Sequence, residues 1–185
     1  MSKVFIISAP SGCGKTTICK EILKKFPELS YSISYTTRSP RKGEVNGKDY
    51  NFISIEEFEN GIKQNKWAEW AKVHDNYYAT SAFYINENIS QNISTLLDID
   101  VLGTNQILIK YPDAITIFIM PPSIEVLKKR LIKRGTDSDQ VIEKRLLNAQ
   151  KEIEQKHIYK HIVVNDILDQ AINDVSNIIK EGLKA

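Results

Sequence analysis

Lys3-Val4-Phe5-Ile6-Ile7-Ser8, followed at once by Ala9-Pro10-Ser11-Gly12-Cys13-Gly14-Lys15-Thr16-Thr17, is the stretch on which the fold turns. Residues 3–8 are apolar, partly β-branched or aromatic, and stopped by a turn cluster, so they read as a short buried strand. Ile18, Ile22 and Leu23 then share one stripe of a helix over 14–25, with Pro27 just past its end. A glycine-bearing loop between strand and helix lets backbone N–H groups turn inward around phosphate oxygens, and the helix N-terminus adds unpaired donors. In such a loop Lys15 reaches the β- and γ-phosphates of a nucleotide and the Thr16 hydroxyl ligates Mg²⁺. Ser11, Gly12, Cys13, Gly14 and Thr17 complete the cradle. The motif opens with Ala9 where glycine is expected, which a negative φ at that residue would accommodate. The blander alternative is a turn that only caps a helix. Cys13 divides similarly between a thiol activated by the helix end and a small residue filling the loop.

Outward from this loop the chain reads as one domain. Its 185 residues suffice for a buried core, and 42% hydrophobic with 26% charged residues is ordinary globular usage. A net charge of +2 gives no reason to expect nucleic acid as a partner. Cys13 and Cys19 form no disulfide framework, which suits a reducing cytoplasm. No apolar run reaches the roughly 20 residues of a membrane span, and Ser8-Ala9-Pro10-Ser11-Gly12 breaks the N-terminal apolar run too early for a signal peptide.

Residues 30–82 differ in texture, being rich in Tyr, Ser, Thr and Arg. They hold a helix candidate at 54–64, strand candidates at 67–73 and 77–79, and loop chemistry at 41–47. Alternation of strand and helix returns afterwards. Strands are expected at 94–99, 114–120 and 161–164, and helices at 103–110, 123–133, 141–159 and 167–179. That order argues for a parallel sheet covered on both faces. Ligands of such sheets sit beyond the carboxyl ends of the strands, where the loops after 3–8 and 94–99 both open.

Ser34-Tyr35-Thr36-Thr37-Arg38-Ser39-Pro40-Arg41 and Gly47-Lys48-Asp49-Tyr50 place two arginines and several hydroxyls together. This suits a dianionic phosphate, each charge-assisted bond contributing roughly 1.5–3 kcal/mol. A solvated basic loop has the same composition. Taken together, APSGCGKTT, SYTTRSPRKGEVNGKDYNF, AEWAKVHDNYYAT, LLDID, KKRLIKRGTDSDQVIEKRL and the final VVND resemble the guanylate kinase family, in order and over essentially the whole chain. The resemblance implies an α/β P-loop kinase with a parallel sheet core flanked by helices, a small mixed α/β acceptor-binding lobe and a helical lid. One domain over 1–185 then divides into core (1–33, 83–122, 158–185), GMP-binding lobe (34–82) and lid (123–157).

The same resemblance implies that Ser34, Arg38, Arg41, Tyr50 and Tyr78 hold the phosphate of GMP, while Glu69, Thr80 and Asp100 contact guanine. The chemistry of the base agrees with this. A carboxylate only accepts, guanine offers adjacent N1–H and amino donors, and adenine presents an acceptor at N1. Otherwise Glu69 is the wet face of a strand. Trp67 and Trp70 read as packing residues. Arg130, Arg134 and Arg145 would close over the phosphates of ATP, with Lys15, Arg38, Arg134 and Arg145 as the catalytic cations; by composition alone they line a solvated helix face. Asp98 is expected near Mg²⁺ through water, or else as a helix-entry carboxylate. Asn165 and Asp166 match the loop bordering adenine. His157 and His161 lack a metal-binding pattern, and His74 has no evident role.

The implied activity is transfer of the γ-phosphate of ATP to GMP, and also to dGMP, with Mg²⁺ as cofactor, in the cytoplasm. The expected partners are the two nucleotides, with no nucleic acid and no membrane, and the chain is expected to be a monomer, a homo-oligomer being the alternative. The rival functions are a kinase of another small phosphate ester, and a non-catalytic phosphopeptide-binding module of the same fold.

Overall fold

The computed structural model describes residues 1–73, 75–135 and 137–184; His74 lies outside the described residues. The elements run β1 (Val4–Ser8), α1 (Lys15–Lys25), β2 (Ser30–Tyr31), β3 (Tyr35–Thr36), β4 (Asn51–Phe52), α2 (Ile55–Lys63), β5 (Trp67–Val73), β6 (Asn76–Ser81), α3 (Ala82–Ser90), β7 (Thr95–Asp98), α4 (Val101–Lys110), β8 (Ile115–Met120), α5 (Ile124–Arg134), α6 (Asp139–Glu154), a 3₁₀ turn (Gln155–Ile158), β9 (His161–Val164) and α7 (Leu168–Lys184). The core is a parallel sheet in the order β2-β7-β1-β8-β9.

β1 is central and every one of its residues is buried, which explains its unbroken apolar run. Successive side chains of a strand leave on opposite faces. Phe5 and Ile7 therefore enter one hydrophobic cluster, with Ile18 and Ile22 of α1 and Ala171, Val175 and Ile179 of α7. Val4 and Ile6 enter another, with Ile85 of α3 and Ile107 of α4. Both clusters hold the carboxyl end of β1 fixed, and the phosphate-loop motif begins there.

Residues 34–82 fold mostly as a second, four-stranded sheet in the order β4-β3-β6-β5, mixed in direction. Its small core is Phe58, Trp67 and Ala79. Trp67 donates its indole N–H to the Phe58 carbonyl at 3.1 Å, so it packs as expected. α2 starts with a capping box of Ser54 and Glu57.

The first helix of 123–157, α5, begins and ends within a residue of where the sequence signals place it. Ser123 caps α5 through the Val126 N–H, and Gly135 ends it at φ 66°. Leu127, Leu131, Ile142, Leu146 and Ala149 join the cluster that contains Phe5 and Ile7, so both helices are packed against the core in this conformation. Three features differ from the expectations. The helix read at 141–159 is α6 plus a 3₁₀ turn, and the strands β2, β3 and β4, two residues each, leave too little pattern to read. α3 was also unread; only the Ser81 side chain, accepting from the Tyr84 N–H at 3.2 Å, marks its start.

Candidate active site

The loop after β1 turns back on itself, with the Cys13 N–H donating to the Pro10 carbonyl at 3.1 Å. Gly12 has φ +95° and Gly14 φ +86°, conformations in which other residues are strained. Gly12 also lies against the lid helix: a Cβ there would come within 2.9 Å of Leu131. Ala9 is not among the residues with positive φ, so its methyl group fits. The Cys13 side chain is fully buried, and burial pushes its thiol up to about 12. It is a packing residue, not an activated nucleophile. Ser11, Thr16 and Thr17 are exposed around the loop and the first turn of α1.

Lys15 Nζ lies 2.6 Å from Asp98 Oδ1 and donates to the Ile99 carbonyl at 3.1 Å. Burial works against the ammonium, but the adjacent Asp98 carboxylate outweighs it and holds the lysine pKa above its ordinary value. Asp98 ends β7, beside β1 in register, and this pairing delivers its carboxylate to the phosphate loop. Among the described residues no group of three His, Cys, Asp or Glu side chains is placed to hold a metal ion. Thr16, on the first turn of α1, and Asp98, at the end of β7, are oxygen donors of the kind that would suit a Mg²⁺ that keeps most of its water and phosphate ligands.

In the acceptor lobe, Arg38 Nη2 donates to both carboxylate oxygens of Glu44 at 2.9 Å, and the guanidinium lies 5.4 Å from the centre of the Tyr50 ring. Glu44 also accepts from the Arg41 N–H at 2.7 Å. The sequence reading missed this organiser of the arginine loop. The signal was available in the Arg38-x₅-Glu44 spacing within a loop too short to leave two arginines without a counter-ion. Tyr50 and Tyr78 meet edge to face, with ring centres 6.0 Å apart. The structure thus gathers Arg38, Tyr50 and Tyr78, with Ser34 just before β3, while Arg41 is exposed at the loop.

Glu69 on β5 and Thr80 on β6 are cross-strand partners, and the Thr80 hydroxyl donates to Glu69 Oε1 at 2.7 Å. Glu69 is only 6% exposed, so it is not a wet strand face. Burial, opposed by the Thr80 bond and aided by the charge of Asp100, moves its carboxyl up to about 7. α4 fixes β5 from the core side. Gln106 bonds both the N–H and the carbonyl of Trp70 (3.1 and 2.8 Å), and Lys110 donates to the Trp67 carbonyl at 3.0 Å. Gly103 lies on the same helix face, and a Cβ there would approach Glu69 Oε2 to 2.8 Å. Glycine is therefore needed where the carboxylate crosses the helix.

Asp100 caps α4, accepting from the Gly103 N–H at 2.8 Å. The Thr104 hydroxyl donates to the Asp100 carbonyl at 2.8 Å, and Tyr159 donates to Thr104 at 3.1 Å. With its one proton committed, Thr104 can only accept from Ser8, 3.0 Å away. This buried set ties the end of β1 and the root of the lid to the Asp100 backbone, and nothing in the sequence pattern announces it.

The lid cations are dispersed. Arg130 donates to the Asp166 carbonyl at 3.3 Å, Arg145 pairs with Asp137 at 2.9 Å, and Arg134 is exposed on the last turn of α5. Lys128 pairs with Glu143 at 2.7 Å, joining α5 to α6. On α6, Glu152 is half-buried in a cleft of about 190 Å³ that Asp100 also lines; burial first, then Asp100, raises its carboxyl to about 7. Asn165 lies beneath the phosphate loop, its Nδ2 donating to the Cys13 carbonyl at 2.8 Å. The His157 ring lies 3.1 Å from the Glu154 carbonyl at the end of the lid.

Residues 1–182 match the family model described as guanylate kinase. The chain is 46% identical over 176 residues to the guanylate kinase of Geobacter sulfurreducens, covering 95% of this chain and 87% of that protein. It is 45% identical over 178 residues to that of Shewanella sp. (strain MR-7), covering 96% and 86%. The crystal structure of guanylate kinase from Anaplasma phagocytophilum matches with a TM-score of 0.81 at 30% identity, over 100% of this chain and 87% of that one.

Proposed function

The chain belongs to the guanylate kinase family, and from that premise we propose how its residues transfer the γ-phosphate of ATP to GMP. The transfer is a nucleoside monophosphate kinase reaction giving ADP and GDP. In our reading the loop 9–17 grips ATP, and Ser34, Arg38, Arg41, Tyr50 and Tyr78 grip the phosphate of GMP. Glu69, Thr80 and Asp100 read guanine. The observation that carries this is the buried Glu69–Thr80 pair at 2.7 Å. Thr80 occupies one carboxylate oxygen and leaves the other to accept from the N1–H and amino group of guanine.

Phosphoryl transfer asks a protein for positioning and charge neutralisation more than for covalent chemistry. Lys15 supplies the cation for the transferring group and leaves Asp98 to do so. Thr16 and, through water, Asp98 would hold the Mg²⁺ bound with ATP, which would supply neutralisation of the phosphate charge. Arg130, Arg134 and Arg145 converge when the lid closes, which also excludes water as a competing acceptor. Core 1–33, 83–122 and 158–185, lobe 34–82 and lid 123–157 are the units that move. dGMP serves as acceptor as well. The described residues include no helix long and apolar enough to cross a membrane. The two free, buried cysteines suit a reducing compartment, and we place the enzyme in the cytoplasm.

A pH profile tests the base reading. The carboxylate form of Glu69 accepts from guanine, and its pKa is raised to about 7. Falling pH therefore protonates it and raises KM for GMP, by about tenfold per unit once below that value. Glu152 also titrates near 7, and the acceptor phosphate titrates near ~6. Both act equally in a Glu69→Gln variant, which should lose only the Glu69 component. Identical profiles in the two proteins would remove Glu69 from guanine recognition. Stability carries the opposite sign from the usual carboxylate. With the folded pKa above the unfolded one, the native state binds more protons, and stability declines as pH rises through the window up to about 7.

A further inference from the structure

Asn165 has more to do with the phosphate loop than with a base. Its side chain is buried, at 5% exposure, and its backbone N–H is anchored to the Met120 carbonyl at 2.8 Å. From this fixed position Nδ2 donates to the Cys13 carbonyl at 2.8 Å. A trans peptide is planar, with its C=O and N–H pointing in opposite directions. Holding the Cys13 oxygen toward Asn165 therefore aims the Gly14 N–H the other way, away from Asn165. Gly14 is the second half of the device: a Cβ on it would stand 2.7 Å from Asn165 Nδ2. Only glycine lets the amide pass beneath the loop.

We propose that Asn165 is a positioning residue for the donor phosphates, acting through the Cys13–Gly14 peptide and not by contact with the donor base. This rests on the reading of 9–17 as the donor's phosphate cradle. The neighbouring Asp166 carbonyl receives Arg130 at 3.3 Å, so the same turn touches both loop and lid.

The test is binding of inorganic tripolyphosphate, ATP and GMP by calorimetry to wild type, Asn165→Ala and Lys15→Ala. Loss of one hydrogen bond that orients a donor should weaken tripolyphosphate and ATP alike by about tenfold in Asn165→Ala, with GMP within twofold. Asn165→Asp keeps the shape and removes the donor, so it serves if truncation prevents folding; it too should lose tripolyphosphate. A loss confined to ATP would mean a contact with adenine and overturn the proposal. So would unchanged binding of all three, or a GMP loss as large as the ATP loss, which would mean a general structural role. Normal tripolyphosphate binding to Lys15→Ala would overturn the cradle reading itself, and the proposal with it.

Discussion

Lys15→Ala should lower kcat by about 10²- to 10³-fold, the scale of losing one preorganised group that stabilises transition-state charge, while the protein stays folded. Lys15 lies at the junction of the phosphate loop and β7, where Asp98 and the Ile99 carbonyl hold it. The substitution has a second consequence, because it strands the Asp98 carboxylate without its partner. Some loss of stability is therefore expected, and it must be separated from the catalytic loss. Lys15→Ala with Asp98→Asn removes both charges and should recover much of the melting temperature without restoring turnover. Turnover within tenfold of wild type in the folded single variant would take Lys15 out of the mechanism.

Glu69→Gln should reduce kcat/KM for GMP by roughly 10²-fold and narrow the gap to AMP. The direction follows from the Thr80 bond. Thr80 donates to Oε1, so the carbonyl of the introduced amide takes that position and its NH₂ takes the place of Oε2. Guanine's donors then face a donor, whereas N1 of adenine faces one with profit. Losing two bonds to a charged acceptor and leaving them unpaired amounts to about 3 kcal/mol. Gly103 and the Gln106 clamp on Trp70 hold β5 in place, so the backbone has little freedom to rescue the contact. An unchanged ratio of GMP to AMP use would place guanine recognition elsewhere.

What could be read from the chain and what could not differ in kind. β1, the loop and α1 were legible because all their information is local: an apolar run, glycines at positions of positive φ, and a periodic stripe. β5 and β9 were read with the bounds the structure gives. The two-residue strands β2, β3 and β4 were not legible, since pairing partners far along the chain define them and two residues carry no period. α3 was hidden because Ala82-Phe83-Tyr84-Ile85-Asn86 has no clear apolar stripe, and Phe83 is in fact exposed.

The site shows the same division. Motif resemblance named Arg38 and Glu69, but not what holds them. Glu44 fixes Arg38, Gly103 admits Glu69, and Thr104 joins Ser8 and Tyr159 to Asp100; each is a contact made by the fold. Asn165 was read as a neighbour of adenine; its bond to the Cys13 carbonyl at 2.8 Å is a further contact that Val163-Val164-Asn165-Asp166 does not announce.

The most direct measurement is the rate of ATP-dependent phosphorylation of GMP, dGMP, AMP, CMP and UMP under one set of conditions with Mg²⁺. A pocket in which Glu69 and Thr80 read the Watson–Crick edge of guanine predicts rapid use of GMP and dGMP. It also predicts that the other three are used less efficiently by at least about 10³-fold. AMP, CMP or UMP turned over within tenfold of GMP, or no transfer to GMP at all, would contradict it.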